Sequence, residues 1–243
     1  SGYWAFGYCS VDLSSVRQHL HSIMTDEHAD RIAFIRAHAT VESPPLTPEL
    51  KLWLAKEATE LWEATEEFLA EKGLPPPFWA FAWAGGQALA RFAMDRPEIV
   101  KDKRVLDFGA GCGMVAIAAL MVGAKDALAA DLDEFAAASA LLNGTENGVV
   151  PKAFAGDATT LTPTDFDVIL AADVCYDRRQ ADPATAWLRQ AVNSGTDVYI
   201  GDPGRRYFPD EGLEPLADYD IPTPVALEQY PITPTRVWRL TAS

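Results

Sequence analysis

Histidine is confined to one end of this 243-residue sequence. The four histidines are His19, His21, His28 and His38. Every later position must work without imidazole, which excludes Ser-His-Asp and Cys-His catalysis over the rest of the chain. A catalytic zinc site is disfavoured there for the same reason. The histidine spacings match no common ligand pattern, so we predict solvated histidines and no metal site.

Positive charge is scarce as well. The chain carries 20 Lys and Arg against 35 Asp and Glu, a formal net charge of −15. Nucleic-acid binding takes most of its non-specific affinity from cations on phosphates, and anionic membranes attract basic segments in the same way. We therefore expect neither nucleic acid nor a membrane as a partner. A basic partner is electrostatically compatible, and good solubility is the simpler reading of the acidity.

Long apolar runs and cysteine pairs are also missing. The sequence contains no run of about 18 consecutive apolar residues, so it predicts no membrane span. The three cysteines (Cys9, Cys112 and Cys175) are too few, and odd in number, for a disulfide framework. A reducing compartment fits, and the amino terminus resembles neither a signal nor a transit peptide, so we predict a cytoplasmic protein. Residues 1–23 are set aside as an upstream extension or a leader added by cloning.

The first part of the chain predicts helices. Residues 28–38 read as a short helix, and Thr47 reads as the N-cap of a longer one over about 49–71, in which Trp and Leu recur at helical spacing. A run of three prolines at 75–77 ends this pattern. We assign residues 24–77 to an N-terminal helical extension that docks onto the main domain.

From residue 104 onward, apolar strand patterns alternate with helical ones. The predicted strands are 104–108, 127–130, 153–155, 166–172, 197–201, 227–230 and 236–240, and the predicted helices are 114–122, 135–143 and 180–192. This βαβ rhythm predicts an α/β fold with a parallel sheet covered by helices. Ligands bind such sheets at the carboxyl ends of the strands, where polar residues gather in this sequence.

A glycine loop follows the first of these strands. It begins at Asp107 and carries Gly109, Gly111 and Gly113. A phosphate-binding P-loop would need Gly-Lys-Ser/Thr, and a dinucleotide fingerprint would need its third glycine one residue later. The pattern Asp-x-Gly-x-Gly-x-Gly at a strand end resembles the first motif of the class I S-adenosylmethionine-dependent methyltransferases. The resemblance implies a Rossmann-like domain over 78–243, with seven mostly parallel strands and the last strand antiparallel.

The same resemblance implies how S-adenosylmethionine is bound and S-adenosylhomocysteine is released. In that superfamily the glycine loop binds the amino-acid moiety, and an acidic residue at the end of the second strand holds the ribose hydroxyls. Asp131 stands at that position, with Asp133 as a nearby alternative. The loop after the third strand binds adenine, and Asp157 and Ala158 occupy it. With Asp107 and the glycines, these residues form the predicted cofactor site.

The acceptor motif is predicted where the fourth strand ends. The sequence there is Asp173-Val174-Cys175-Tyr176, where amino-group methyltransferases of the superfamily carry Asn-Pro-Pro-Tyr. A lysine amine has a pKa of about 10.4, so its neutral form at pH 7 costs about 4.6 kcal/mol. A partly apolar pocket reduces that cost, whereas a carboxylate raises it. Asp173 is therefore predicted to orient the amine rather than to act as a strong base, and Tyr176 to pack beside the sulfonium.

Two residues of this motif also have a purely structural interpretation. Asp173 could instead be the N-cap of the helix that follows its strand. Cys175 is predicted to be a small buried residue, and Cys112 in the glycine loop is predicted to pack in the same way.

Two further segments narrow the resemblance. They are residues 75–91, which include Phe-Trp-Ala-Phe-Ala-Trp, and residues 200–205, Ile-Gly-Asp-Pro-Gly-Arg. Together with residues 173–176 they resemble the lysine methyltransferases of the electron transfer flavoprotein β subunit, in particular the bacterial members. The resemblance runs from about residue 27 to the carboxyl terminus. It implies a protein-lysine methyltransferase that acts on adjacent lysines in a surface loop of that β subunit.

The resemblance also assigns roles to single residues. Trp83 and the Gly85-Gly86 turn would line the cofactor pocket, and Asp173 with Tyr176 would form the catalytic acceptor motif. Asp202 and Arg205 either shape the substrate mouth or form a turn with a local ion pair.

Other functions stay open at this point. They are a small-molecule (nicotinamide-like) methyltransferase, a ribosomal-protein methyltransferase and a cofactor-binding module without catalysis. A dehydrogenase is disfavoured by the glycine spacing. The oligomeric state does not follow from the sequence.

Overall fold

The computed structural model describes residues 26–55, 76–228 and 230–242. The described chain begins with helix α1 (Asp26–His38), followed by strands β1 (Thr40–Glu42) and β2 (Leu52–Leu54), which pair antiparallel. The predicted helix over 28–38 is present. None of the helices in the described ranges is long and apolar enough to cross a membrane.

The main sheet has seven strands. They are β3 (Arg104–Phe108), β4 (Asp126–Asp131), β5 (Lys152–Ala155), β6 (Val168–Ala172), β7 (Asp197–Asp202), β8 (Leu213–Pro222) and β9 (Ile232–Leu240). Their spatial order is β5-β4-β3-β6-β7-β9-β8. Strands β3 to β7 pair in parallel, and β9 runs antiparallel to both of its neighbours. The predicted α/β class with an antiparallel last strand is confirmed.

Helices cover both faces of this sheet. They are α2 (Ala84–Asp95), α3 (Met114–Met121), α4 (Glu134–Glu146), α5 (Arg178–Asn193) and the short α6 (Val225–Glu228). Neighbouring residues of β3 serve different faces: Val105 packs in a core with α2 and α3, and Leu106 packs in a core with α5. A third cluster joins Ile35 of α1 to Trp79 and to α4. The division into an extension and a domain at residue 78 stays a prediction.

The helix predicted over 49–71 is wrong at its start, because residues 52–54 form β2. Hydrogen bonds to α4 explain the difference. The Trp53 N–H donates to Asn143 Oδ1 (2.7 Å), and the Trp53 indole N–H donates to Glu146 Oε1 (3.1 Å). These partners, 90 and 93 residues away in sequence, hold this segment extended despite its helical apolar spacing. The rest of the predicted helix, residues 56–71, lies outside the described residues.

The strand predicted over 227–230 is also wrong. Val225–Glu228 is helical, residue 229 lies outside the described ranges, and the penultimate strand is β8. Strand β8 pairs only with β9, and its charged residues Glu214, Asp218 and Asp220 are exposed. An edge strand of this kind has no continuous apolar run to predict it. For each of the remaining predicted helices and strands, the first and last residues lie within four residues of those observed.

One buried side chain connects β2, the glycine loop and α4. Asn143 is fully buried; its Nδ2 donates to the Cys112 carbonyl (2.9 Å), and its Oδ1 accepts the Trp53 N–H. Asn143→Ala leaves both backbone groups without this partner, so we expect the free energy of unfolding to fall by about 3 kcal/mol. Urea unfolding measures it. Asn193→Ala, at the exposed end of α5, is the control and should change it by under about 0.5 kcal/mol. A loss below about 1 kcal/mol for Asn143→Ala would contradict this account.

Candidate active site

A cavity of about 420 Å³ opens at the carboxyl ends of the parallel strands β3 to β6. Its volume is typical of small-molecule sites, and this edge is where open α/β sheets bind ligands. Eight of the ten predicted site residues line it: Trp83, Gly109, Gly111, Asp131, Asp157, Ala158, Asp173 and Tyr176. The structure therefore brings the predicted cofactor residues and the predicted acceptor motif to one cavity.

The other two predicted residues lie behind the cavity wall. Asp107 is buried, and its carboxylate accepts the Ala116 N–H (2.9 Å) in the first turn of α3. Burial raises the pKa of Asp107 to about 7. Gly113 precedes α3 with a φ of +76°, and a Cβ there would lie 2.6 Å from the Cβ of Ala140 in α4. Both residues shape the loop and do not face the cavity.

The glycine loop is held by backbone bonds to the end of β4. The N–H groups of Gly109 and Ala110 donate to the Ala130 carbonyl (2.9 and 3.0 Å), and the Gly111 N–H donates to Asp131 Oδ2 (2.9 Å). Gly109 and Gly111 have φ values of +72° and +51°, which favour glycine. The loop therefore presents bare backbone to the cavity.

The two aspartates at the end of β4 and just after it have different partners. Asp131 accepts the Gly111 N–H on one oxygen and the Asp133 N–H on the other (3.0 Å), and its burial raises the pKa of the carboxyl. Asp133 caps α4, because its carboxylate accepts the Phe135 N–H (2.8 Å). Asp157 caps the turn that carries Ala158. Helix capping accounts for Asp133, whereas Asp131 caps no helix.

Asp173 occupies an unusual position at the end of β6. Its φ is +55°, a left-handed conformation rare for residues other than glycine, and its side chain is 11% exposed. Oδ2 accepts the Gly86 N–H (3.1 Å) in the first turn of α2. The alternative in which Asp173 caps the following helix is wrong, since Asp177 caps α5 by accepting the Arg179 N–H (2.9 Å). Asp173 instead helps to cap α2, which is distant in sequence.

Arg205 lies between two carboxylates. Its Nε and Nη2 donate to Asp173 Oδ1 (3.0 and 2.7 Å), while its Nη1 and Nη2 donate to Glu228 Oε2 and Oε1 (2.8 and 2.7 Å). Its guanidinium also lies 5.7 Å from the centre of the Trp83 ring. Arg205 lines the cavity, as one of its two predicted roles required. Asp202 does not line the cavity: it accepts the Gly204 and Arg205 N–H groups in a turn.

Glu228 was missed by the sequence analysis. Its side chain is 4% exposed, and besides Arg205 it is within 3.5 Å of the Ala84 N–H at the start of α2. No motif surrounds it, and only the fold brings α6 to α2. A buried carboxylate needs a charged or hydrogen-bonding partner. The sequence around Glu228 does not reveal that partner, because Arg205 reaches Glu228 only through the tertiary fold.

Aromatic side chains line part of the cavity wall. The Trp83 indole N–H donates to the Phe78 carbonyl (2.9 Å), and the Phe78 and Tyr176 rings are 5.3 Å apart. Tyr176 is 42% exposed, and its hydroxyl donates to Gln180 Oε1 (2.8 Å).

Burial raises the pKa of the Cys112 and Cys175 thiols to about 12. Both cysteines are buried and pack in the core, as predicted.

Comparisons with known proteins agree with this arrangement. The sequence model of the family described as ribosomal protein L11 methyltransferase (PrmA) matches residues 88–174. The chain is 40% identical over 205 residues to the electron transfer flavoprotein beta subunit lysine methyltransferase of Danio rerio, covering 82% of this chain and 78% of that protein. The Xenopus laevis protein of the same name is 40% identical over 212 residues, covering 85% of each. These relatives are animal proteins, whereas the sequence analysis expected the greatest likeness with bacterial members.

A solved structure supports the fold. The crystal structure of magnesium protoporphyrin IX methyltransferase from Synechocystis PCC 6803 superposes with a TM-score of 0.50 at 14% identity, covering 100% of each chain. A likeness at this identity shows the fold and no more.

Gly113 offers a test of the loop's packing. Gly195 also has a positive φ (+93°), but a Cβ there would meet nothing within 4 Å. We expect Gly195→Ala to lower the free energy of unfolding by about 1 kcal/mol through backbone strain. Gly113→Ala should lower it by about 2 kcal/mol more, because its Cβ overlaps Ala140. Equal losses for the two variants in urea unfolding would show that α4 yields to the added methyl group.

Proposed function

Since this chain belongs to the family of electron transfer flavoprotein beta subunit lysine methyltransferases, we propose that it transfers methyl groups from S-adenosylmethionine to lysines of that β subunit. The observation that carries the proposal is that Gly109 and Gly111 line the same cavity as Asp173 and Tyr176. A methyl donor and an amine must meet in line, so both subsites must open onto one space. The predicted cytoplasmic location stays a prediction.

The residues present fit S-adenosylmethionine. Its amino-acid moiety needs close approach to backbone, and at Gly111 the nearest atom to an added Cβ would be 3.9 Å away, so the wall there is open. Its ribose diol needs a hydrogen-bond acceptor, and the half-buried Asp131 carboxylate lines the cavity. The side of the cavity at Asp157 and Ala158 would take adenine. Asp107 and Gly113 would contribute through the loop conformation and not by contact.

The acceptor side is suited to a lysine amine. S-adenosylmethionine supplies an electrophilic methyl group carried on a sulfonium. Oδ2 of Asp173, which accepts one hydrogen bond from Gly86, would accept another from the amine and aim its lone pair. Phe78, Trp83 and Tyr176 would exclude water, which disfavours the ammonium form, and their faces would stabilise nearby positive charge. The released proton would pass to solvent at the cavity mouth.

The proposal is tested by methyl transfer. Radiolabelled S-adenosylmethionine is incubated with the purified enzyme and electron transfer flavoprotein, beside ribosomal proteins and nicotinamide as competing acceptors. We expect label on the β subunit, and loss of label when its surface-loop lysines are changed to arginine. Label only on ribosomal protein or nicotinamide would overturn the substrate while keeping the methyltransferase. Absence of label with all acceptors, despite cofactor binding in calorimetry, would favour a binding module.

Asp173→Asn tests the acceptor motif. The amide keeps the shape, and its one oxygen can accept either the Gly86 N–H or the Arg205 N–H groups. It loses the negative charge beside the amine. We expect methyl transfer to fall at least tenfold, or about 1.4 kcal/mol in the barrier. Cofactor affinity in calorimetry should stay within about threefold, because the methionine and ribose subsites are untouched. Asp182→Asn, an exposed change on α5, is the matched control. Normal turnover in Asp173→Asn would remove Asp173 from the mechanism.

A further inference from the structure

Arg205 binds its two carboxylates unequally. Glu228 receives a two-pronged pair of bonds, one to each of its oxygens. Asp173 receives both of its Arg205 bonds on Oδ1, so within the described ranges Oδ2 accepts one hydrogen bond, from the Gly86 N–H. The fork of a guanidinium matches both oxygens of one carboxylate, and here that match is made with Glu228.

The charges of this cluster do not cancel. Asp173 and Glu228 are 11% and 4% exposed, and Arg205 between them is 20% exposed. Two carboxylates against one guanidinium leave the cluster with a surplus of one negative charge. A cavity with such a wall attracts a cation, and the lysine ammonium of a protein substrate is one.

We propose that Glu228 and Arg205 are positioning residues for Asp173, with Glu228 holding the guanidinium fork away from Oδ2. The inference rests on the proposed function. Glu228 keeps the Arg205 guanidinium on Oδ1 of Asp173. Oδ2 is then able to accept a hydrogen bond from the substrate amine. Without the Glu228 charge, Arg205 is free to bind both oxygens of Asp173 and to neutralise the carboxylate. The Trp83 ring beneath the guanidinium supports its position in the wall.

The test separates this role from a structural one. Glu228→Gln keeps the shape of the side chain and removes its charge. We expect the KM for the protein substrate to rise at least tenfold, while the cofactor Kd stays within about threefold. Adding Arg205→Met to Glu228→Gln removes the cation that would cover Asp173. The double variant should therefore bind substrate better than Glu228→Gln alone, with a KM at least threefold lower.

A role in folding alone predicts the opposite order. If Glu228 only caps α2, the double variant would be worse than the single one in KM, kcat and thermal stability, and the inference would be overturned. An unchanged KM in Glu228→Gln would overturn it too. Glu49→Gln is the control: Glu49 binds Arg91 of α2 (2.8 Å) outside the cavity wall, so its KM should not change.

A second readout does not depend on the substrate. In a crystal structure of Glu228→Gln, we expect Arg205 to donate to both oxygens of Asp173. Arg205 still on Oδ1 alone, or turned away from Asp173, would refute the inference. If the wild-type enzyme leaves the flavoprotein unlabelled, the proposed substrate fails, and this structure still decides whether Glu228 controls Arg205.

Discussion

The structure of the acceptor end of the cavity depends on the hydrogen bonds that the Asp173 carboxylate accepts. This carboxylate binds the Gly86 N–H at the start of α2 and the Arg205 guanidinium. Burial raises the pKa of Asp173 even against the Arg205 charge. The close approach needs glycine: a Cβ on Gly85 would lie 2.5 Å from Asp173 Oδ2 and 2.3 Å from the Gly201 carbonyl. The start of helix α2 and the segments that follow β6 and β7 therefore meet at the Asp173 carboxylate.

Aspartates at the strand ends perform two kinds of work in this fold. Asp107, Asp133 and Asp177 satisfy N–H groups in the first turns of α3, α4 and α5. Asp131 and Asp173 each bind an N–H group that is distant in sequence, and both line the cavity, as Asp133 does. The first group makes bonds to the helix that directly follows it. The second group ties distant backbone to the cavity wall. The chemistry of the site follows from this division of labour.

The division explains which parts could be predicted from sequence. The parallel strands and the glycine loop depend on local periodicity and turn chemistry, so they were predicted at nearly the right residues. β2 was missed because its partners, Asn143 and Glu146, lie on a distant helix. β8 was missed because an edge strand carries no apolar run. Glu228 was missed because only tertiary packing brings it to Arg205.

We propose that one cavity holds the methyl donor against the wall formed by Asp173. A crystal structure with S-adenosylhomocysteine tests it most directly. We expect the homocysteine moiety against the backbone of Gly109 and Gly111, the ribose hydroxyls within hydrogen-bond distance of Asp131, and the sulfur facing Asp173 and Tyr176. A ligand bound elsewhere, or one whose adenine lies against Asp173, would contradict the account.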